Sequence, residues 1–172
     1  MPRSSEPLVY SVWTTAWGPM GAVASREGLT RVVLPHYMAD DLRALLAFEH
    51  PGAVESADRF ERLIEQSRDY FNGKPVAFDE IPCDLTGGAF SAAVLTACRA
   101  VPYGQTRSYR EIAIAIGNPD GARAVAAALG RNPIPLVIPC HRVTYSDGGL
   151  GGYSAPGGVE LKRRMLSLEK AL

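Results

Sequence analysis

The segment Asp84-Leu-Thr-Gly-Gly limits the fold of this chain more than any other feature, because two consecutive glycines follow a polar stretch. The charge balance reverses at the same point. Residues 1–86 carry 8 Lys and Arg against 13 Asp and Glu, whereas residues 87–172 carry 10 against 5. Paired glycines weaken helices and strands alike, so the chain is expected to divide there. The sequence predicts two domains, residues 1–86 and residues 87–172.

Composition excludes several classes of protein. With 47% hydrophobic and 21% charged residues, the chain has ordinary globular usage and is neither disordered, collagen-like nor a coiled coil. No apolar stretch approaches the ~18 residues that span a bilayer. The N-terminus lacks an apolar secretory signal, and the 3 cysteines cannot form a complete disulfide framework. We expect a cytoplasmic protein without membrane association.

The charge distribution leaves two interpretations open. A formal net charge of zero argues against a chain that is basic throughout. A basic second half could still bind phosphate backbones while the acidic first half keeps the protein soluble. Alternatively, the two halves simply attract each other.

The first half has the pattern of strands followed by helices. Residues 10–15, 21–25 and 29–34 are short, alternating or β-branched, with turn signals at Gly18-Pro19 and Glu27-Gly28. These segments predict an antiparallel meander. The half has no phosphate-binding loop, no clustered histidines and no paired carboxylates at metal spacing, so it is interpreted as scaffold.

Two helices are predicted to cover that sheet. Asp40 can cap a helix that runs to Phe48, and Ser56 or Asp58 can cap a second one that ends at Asn72-Gly73. The second helix has an apolar face at helical spacing, made of Phe60, Leu63, Ile64, Ser67 and Phe71. The fold class is therefore α+β.

The second half is predicted to be mostly helical and to contain a helix-turn-helix. Ser108 caps a helix from Tyr109 to Ile116, with Glu111 in the position of a capping box. A break at residues 117–120 precedes a second helix, Gly121 to Leu129. Further helices are predicted over residues 90–99 and 159–172.

The second helix of that pair is unusually small in its side chains. Five alanines leave Arg123 as its one long polar residue, so the helix axis can come very near a partner surface. Tight packing inside a small bundle would explain the same composition. The sequence alone does not separate these interpretations.

The segment from Ile134 to Val143 carries the chemistry. It is apolar, punctuated by prolines, and ends in Cys140-His-Arg, which brings a cysteine from the core to a surface. A cationic setting from His141 and Arg142 would lower the pKa of the thiol. Side chains alternate in an extended segment, so His141 need not touch Cys140 directly, and a water between them could relay a proton.

Two further features follow this segment in the sequence. The loop Gly148–Ser154 is rich in glycine, so its backbone amides can approach a ligand closely. On the last helix, Leu161, Met165, Leu168 and Leu172 form a stripe that faces the core, with Lys162, Arg163 and Arg164 as a solvated basic cluster. Glu169 beside the stripe could orient His141, or it could be a solvated charge.

Ile138-Pro-Cys-His-Arg-Val143, preceded by Ala122-Arg-Ala-Val and Asn132-Pro133, closely resembles the O6-alkylguanine-DNA alkyltransferases. Gly152-Tyr153 and Met165-Leu-Ser-Leu-Glu169 extend the resemblance, which is strong from Phe90 to Glu169 and rests on element order before residue 87. It implies a ribonuclease H-like N-terminal domain and a winged-helix-like C-terminal domain.

The resemblance implies roles for the residues around the cysteine. Cys140 would accept the alkyl group, His141 would act as its base through a water, and Glu169 would orient and charge the histidine. Asn132 would tie the helix to the cysteine turn. Tyr109 would press on the target phosphate and protonate the departing guanine.

The resemblance also implies how DNA is held. Arg123 would replace the flipped base in the stack, and Ala126 and Ala127 would let the helix enter the minor groove. Positions that touch the DNA backbone in relatives are Ser91, Arg110, Asn118 and Ser146. The substrate pocket would use the carbonyls of Cys140 and Val143, the side chain of Tyr153 and the amide of Ser154.

The implied activity is irreversible, single-turnover transfer of the alkyl group from O6-alkylguanine, with O4-alkylthymine as a further candidate substrate. The implied partner is double-stranded DNA, bound through the minor groove by a monomer with little sequence preference. No cofactor is expected. No metal is expected either, since Cys83, His36 and His50 are too few and too scattered.

Two other classes of protein are alternatives. A non-enzymatic sensor of alkylated DNA, of the alkyltransferase-like type, resembles this chain but has Trp in place of the cysteine, so Cys140 speaks against it. A Cys-His hydrolase acting on acyl substrates would need an oxyanion hole and has no use for Arg123 on an alanine helix.

Overall fold

The computed structural model describes residues 6–172, which form two compact units. One unit ends at Leu85 and the other begins at Thr86. Both units combine helices with short strands, so the fold is α+β. Within residues 6–172, no helix is both long and apolar enough to cross a membrane.

The first unit is built on a sheet with strand order β3-β2-β1-β4. Strands β1 (Val9–Thr15), β2 (Gly18–Ala24) and β3 (Leu29–Val33) pair antiparallel, which confirms the predicted meander. Strand β4 (Val54–Glu55) pairs parallel with β1. It has only two residues and both are exposed, so no alternation of apolar and polar residues marks it in the sequence.

The first turn of the meander lies two residues earlier than predicted. Gly18 belongs to β2, and the turn is Ala16-Trp17. The Thr15 hydroxyl closes it by donating to the carbonyl of Gly18 at 2.8 Å and accepting from the amide of Trp17 at 3.2 Å. A side chain therefore fixes this turn, and Gly18 follows it with a φ of 118°.

Helices α1 (Ala39–Glu49) and α2 (Glu61–Phe71) occur where they were predicted, with different starts. Asp40 lies inside the first turn of α1, and Met38 is the N-cap. Phe60 is the N-cap of α2, so neither Ser56 nor Asp58 caps it. Asp40 still stabilises its helix, because a carboxylate in the first turn interacts favourably with the helix dipole.

The predicted apolar face of α2 packs into the core of this unit. Phe60, Leu63 and Phe71 are buried. Ser67 on the same face is also fully buried, where its hydroxyl accepts a 2.9 Å hydrogen bond from Trp13 Nε1 of β1 and donates to the carbonyl of Ile64. Because its hydroxyl is satisfied, the serine is tolerated on an apolar face.

The second unit contains helices α3 (Ala89–Arg99), α4 (Tyr109–Ala115), α5 (Ala122–Leu129) and α6 (Gly158–Leu168). A two-stranded parallel sheet joins β5 (Arg107–Ser108) to β6 (Val143–Thr144). This pairing brings the start of α4 beside the end of the cysteine segment. Tyr109 and Cys140 are thereby placed in one region.

The capping box of α4 is confirmed. The Ser108 hydroxyl accepts from the amide of Glu111 at 3.1 Å, and the Glu111 carboxylate accepts from the amide of Ser108 at 2.6 Å. These hydrogen bonds lower the pKa of Glu111. They fix Tyr109 as the first residue of the helix.

Helix α6 ends four residues before its predicted end. Glu169 is its C-cap and Lys170 has a φ of 56°, in the left-handed region. Leu172 is 62% exposed, so it does not belong to the buried stripe, whereas Leu161 and Met165 do. The early end allows Glu169 to turn inward rather than to continue along the helix.

Candidate active site

The cysteine segment is held in a non-regular conformation by Asn132. Its side-chain amide donates to the carbonyl of Ile138 at 2.9 Å, and its carbonyl accepts from the amide of Ile134 at 3.0 Å. Leu136 in the loop between them has a φ of 74°, which is uncommon for a bulky residue. Asn132 therefore joins the end of the α5 region to the approach to Cys140.

The sequence predicted that this segment is extended up to Val143, and the structure differs. Cys140–Arg142 is a single 3₁₀ turn. All three residues are buried, and His141 has no exposed surface. A turn rather than a strand lets Cys140 face a cavity while His141 and Arg142 bond to Glu169, the C-cap of α6.

Glu169 is the centre of a buried polar network. Its Oε1 lies 2.6 Å from His141 Nε2 and 3.1 Å from an Arg142 nitrogen, and its Oε2 accepts from Arg142 Nε at 2.9 Å. The amide of Gly104 donates to the same oxygen at 3.2 Å. Arg142 also donates to the carbonyl of Val101. Glu169 is thus not a solvated charge.

The acidity of this pair follows from the network. Burial alone would raise the pKa of Glu169, but the hydrogen bonds and charges of His141 and Arg142 lower it to about 2. Burial lowers the pKa of His141, and Glu169 opposes that effect only in part. A carboxylate can only accept, so Nε2–H of a neutral His141 donates to it. The lone pair of the ring is consequently on Nδ1.

The thiol of Cys140 is less acidic than the sequence predicted. Burial raises its pKa, and a hydrogen bond from Asn132, the charge of Lys162 and a hydrogen bond from Tyr153 lower it only in part. The prediction of a thiolate below the free-thiol range is therefore wrong for this structure. Burial is the dominant cause, and the charge of Arg142, on which that prediction relied, is paired with Glu169.

The interpretation of Lys162 as a solvated surface residue is wrong. Instead of a solvated residue it is 1% exposed, and Nζ donates to the carbonyl of Val143 at 2.7 Å. The Tyr109 hydroxyl lies 3.4 Å and the carbonyl of Gly152 3.5 Å from the same nitrogen. Burial lowers the pKa of Lys162 to about 8.

Cys140 opens into a cavity of about 320 Å³. Four other residues that the sequence analysis selected line it, namely Tyr109, Ala126, Tyr153 and Ser154. Burial raises the pKa of Tyr109 to about 12, so its hydroxyl is a neutral donor at physiological pH. The remaining lining comes from Leu129, Gly130, Tyr145 and Gly152.

A second cleft of about 230 Å³ shares Tyr109, Ala126 and Tyr145 with the first. It adds Arg110, Arg123, Ala122 and Ser146. Arg110, Arg123 and Ser146 are exposed there, so their side chains are accessible to a large partner. A continuous surface therefore leads from the exposed arginines to Cys140.

Other selected residues lie outside both cavities. Ser91 is in the first turn of α3, Asn118 is exposed in the connection between α4 and α5, and Ala127 is exposed on α5. Val143 is fully buried in β6, and its carbonyl rather than its side chain faces Lys162. Among residues 6–172, no three His, Cys, Asp or Glu side chains gather as a metal site.

Comparison with known proteins identifies relatives of this chain. Residues 89–171 match the family model described as 6-O-methylguanine DNA methyltransferase, DNA binding domain. A protein of Methanosarcina barkeri named methylated-DNA–protein-cysteine methyltransferase is 36% identical over 95% of this chain and 98% of its own length. The chain belongs to the methylated-DNA–protein-cysteine methyltransferase family.

Further members of the family support the match. The methyltransferase of Mycolicibacterium paratuberculosis is 46% identical over 69% of this chain and 70% of its own. The crystal structure of Mycobacterium tuberculosis OGT in complex with DNA is 34% identical, with a TM-score of 0.77 over 94% of this chain and 92% of that one. The likeness to the solved structure covers both units.

Sequence reasoning missed two residues of this methyltransferase-family site. Lys162 lies three and four positions before the buried Met165 and Leu166, a spacing that places it on the same face of α6. That signal was available, but a lysine followed by two arginines suggested a basic surface. Tyr145, whose ring lies 5.2 Å from that of Tyr109, follows β6 without any periodic signal.

Proposed function

We propose that this chain repairs alkylated DNA by direct reversal, moving the alkyl group from O6-alkylguanine to the sulfur of its own Cys140. One observation carries the proposal: Cys140 faces a cavity, and His141, the next residue in the chain, forms a buried pair with Glu169. A thioether is a stable product and nothing in the site regenerates a thiol. Each molecule therefore acts once.

The protons of the site define the order of events. Cys140 begins as a thiol and needs a base, and His141 Nδ1 takes the proton through a water while Glu169 stabilises the imidazolium. The bond from sulfur to the alkyl carbon forms as the bond from that carbon to O6 breaks, and the electron pair stays on the guanine. Tyr109 donates its proton to the guanine ring. The proton on His141 later returns through solvent to the Tyr109 oxygen.

The DNA is held by the surface that leads into the cavity. O6 of guanine is buried in a duplex, so the nucleotide must be extruded, at a cost of a few kcal/mol. Arg123 fills the gap, and the small Ala126 and Ala127 let α5 enter the minor groove. Ser91, Arg110, Asn118 and Ser146 contact phosphates, so sequence preference is low.

The extruded base occupies the cavity. The carbonyls of Cys140 and Val143 and the amide of Ser154 read its edge, while Tyr153 forms part of the wall. A carbonyl has two lone pairs, so Val143 can accept from the base and from Lys162 together. Gly151 allows the loop to lie against Tyr109 beside the base. Its φ is 74°, and the Cβ of any other residue there would lie 2.5 Å from the Tyr109 hydroxyl.

The proposal also covers the fold type of each unit, the domain bounds, the oligomeric state and the cellular location. Strand order β3-β2-β1-β4 with a parallel β4 supports a ribonuclease H-like first unit, and α4 with α5 supports a winged-helix-like second unit. The proposed domains, residues 1–86 and 87–172, divide one residue after the boundary between the two compact units. The protein acts as a monomer, without metal or cofactor, in the cytoplasm where its DNA substrate lies.

The proposal is tested by mass spectrometry. After incubation with excess duplex containing O6-methylguanine, the peptide with Cys140 gains one methyl group, and the amount transferred reaches a plateau at one group per active protein. Added thiol does not raise the plateau. Methylation of Cys83 or Cys98, or turnover beyond the plateau, contradicts the assignment of Cys140 as an acceptor that acts once. Cys98 is buried and Cys83 half-buried.

Replacing Arg123 by alanine slows repair in duplex DNA far more than reaction with free O6-benzylguanine, because only the duplex requires extrusion. A cost of a few kcal/mol for extrusion corresponds to roughly a hundredfold in rate when nothing offsets it. Single-turnover rates on both substrates measure the difference. Arg131→Ala, an exposed arginine just after α5, is the matched control. Equal losses on the two substrates refute the role.

A further inference from the structure

Lys162 has no part in the reaction described above, yet it is buried directly behind the cavity. Its ammonium group is surrounded by three oxygen atoms, those of Val143 at 2.7 Å, Tyr109 at 3.4 Å and Gly152 at 3.5 Å. Two of these residues line the cavity, and Val143 is assigned to base reading. Burying a cation is costly, and a methionine would fill the same space at a lower cost. The charge therefore calls for a functional explanation.

The contact with Tyr109 has a directional consequence. An ammonium group has three donors and no acceptor, so the Tyr109 oxygen must accept from Lys162. The phenol has one proton, which must then point away from Lys162. Gly151 encloses the hydroxyl on another side, where even a Cβ would lie 2.5 Å from it. The direction left for the O–H is the cavity that Tyr109 lines.

The same contact has an electrostatic consequence. Lys162 Nζ also lies 5.7 Å from the centre of the Tyr109 ring. When the phenol gives up its proton, negative charge forms on an oxygen within reach of a buried cation, where electrostatic interactions are strong. Lys162 keeps its own proton in this step. A cation beside the phenolate favours loss of the Tyr109 proton, whereas burial disfavours it.

We propose that Lys162 is a positioning residue of the transfer reaction, which directs the O–H of Tyr109 into the cavity and stabilises the negative charge that forms on the Tyr109 oxygen. This inference rests on the proposed function, because it assigns Lys162 to the proton donor of that reaction. It requires Lys162 to be charged when the alkyl group is transferred.

The charge requirement gives the transfer rate a characteristic pH dependence. The titratable groups that face Lys162 are Cys98 on α3, Tyr109 on α4, and Cys140 and His141 on the 3₁₀ turn. The thiols are less acidic than usual, His141 is neutral, and the pKa of Tyr109 is about 12. With a Lys162 pKa of about 8, the rate falls as pH rises through that value. A rate limited by thiolate formation rises instead.

The experiment measures single-turnover methyl transfer at saturating O6-methylguanine duplex between pH 6 and pH 10 (roughly two units on either side of the Lys162 pKa). Wild type shows the alkaline fall. Lys162→Met is slower at pH 7 by about tenfold, the value of one charge-assisted hydrogen bond, and lacks the fall. Arg163→Met, an exposed neighbour on α6, keeps both the wild-type rate and the wild-type profile.

A double-mutant cycle identifies the route of the effect. In a Tyr109→Phe background, Lys162→Met causes little further loss, because the hydroxyl through which it acts is absent. Fully multiplicative losses overturn the proposal and place the effect of Lys162 on another group. If Lys162→Met does not fold, two pH profiles still test the role of Lys162. The proposal requires an alkaline fall in wild type and no such fall in Tyr109→Phe.

Different results overturn the proposed function and the role of Lys162. Absence of methyl on Cys140 in wild-type protein overturns the proposed function. If wild type transfers methyl to Cys140 but the rate does not fall above pH 8, only the role of Lys162 is overturned. The same holds if Lys162→Met shows the wild-type pH profile. A slower Lys162→Met variant with an unchanged profile belongs to that second result, since it indicates packing alone.

Discussion

Cys140→Ser binds alkylated duplex with near wild-type affinity and transfers no alkyl group. The substitution replaces sulfur by oxygen in a cavity whose other lining residues remain, so the DNA surface is unchanged. A hydroxyl is a weak nucleophile without strong activation, and His141 here is a neutral base whose pKa burial lowers. The loss of transfer should exceed that caused by any other single substitution in the site.

Two measurements establish this result. Binding is followed by fluorescence anisotropy with a labelled O6-methylguanine duplex, and transfer by the mass of the intact protein. Cys83→Ser is the matched control, because Cys83 lies half-buried in the first unit, outside the cavity, and should transfer normally. Methyl transfer that persists in Cys140→Ser but disappears in Cys83→Ser reassigns the acceptor.

The sequence predicted those elements whose ends are determined locally. The start of α4 depends on Ser108 and Glu111, each of which accepts a hydrogen bond from the other's backbone amide, so the capping box was visible in the sequence. The apolar face of α2 likewise follows from helical spacing. Strand β4 was missed because its two residues are exposed and depend on pairing with β1, a partner distant in the chain.

The composition of the site was predicted better than its electrostatics. Tyr109, Cys140, Tyr153 and Ser154 line one cavity, as the resemblance implied, because short motifs fix their positions relative to one another. The acidity of Cys140 could not be predicted, since it depends on burial and on the neutralisation of Arg142 by a carboxylate 27 residues away. Sequence neighbours show which charges are present, but only packing shows which are already compensated.

The burial of Lys162 also depends on packing that sequence neighbours do not show. Lysine is rarely buried without a partner, so a lysine beside two arginines suggested a surface. In the fold, acceptors from α4, β6 and the glycine-rich loop converge on its nitrogen. None of these is adjacent to Lys162 in the chain. Buried polar groups of this kind are determined by tertiary packing and are found only once the elements are assembled.

Glu169→Gln weakens the second unit and slows transfer, and the loss of stability depends on pH. The carboxylate is fully buried and neutralises the almost fully buried Arg142. Removing one partner of a buried ion pair leaves an uncompensated charge, which costs about 3–5 kcal/mol of unfolding free energy. The neutral amide can also donate to His141 Nε2, which would place the ring proton on Nδ1 and remove the base. We expect transfer to fall by roughly 10²–10⁴-fold.

The pH dependence separates charge from packing. The pKa of Glu169 is lowered from 4.5 to about 2 in the folded protein, so its contribution to stability is complete above pH 4.5 and is lost as pH falls toward 2. Chemical denaturation of both proteins should therefore show a gap in unfolding free energy that shrinks as pH falls from 4.5 toward 2. Glu160→Gln, an exposed residue of the same helix paired with Arg163, should change stability by about 1 kcal/mol or less. A gap that stays constant down to pH 2 would mean that Glu169 stabilises the unit through its shape, and that its charge is not what holds His141 and Arg142 in place.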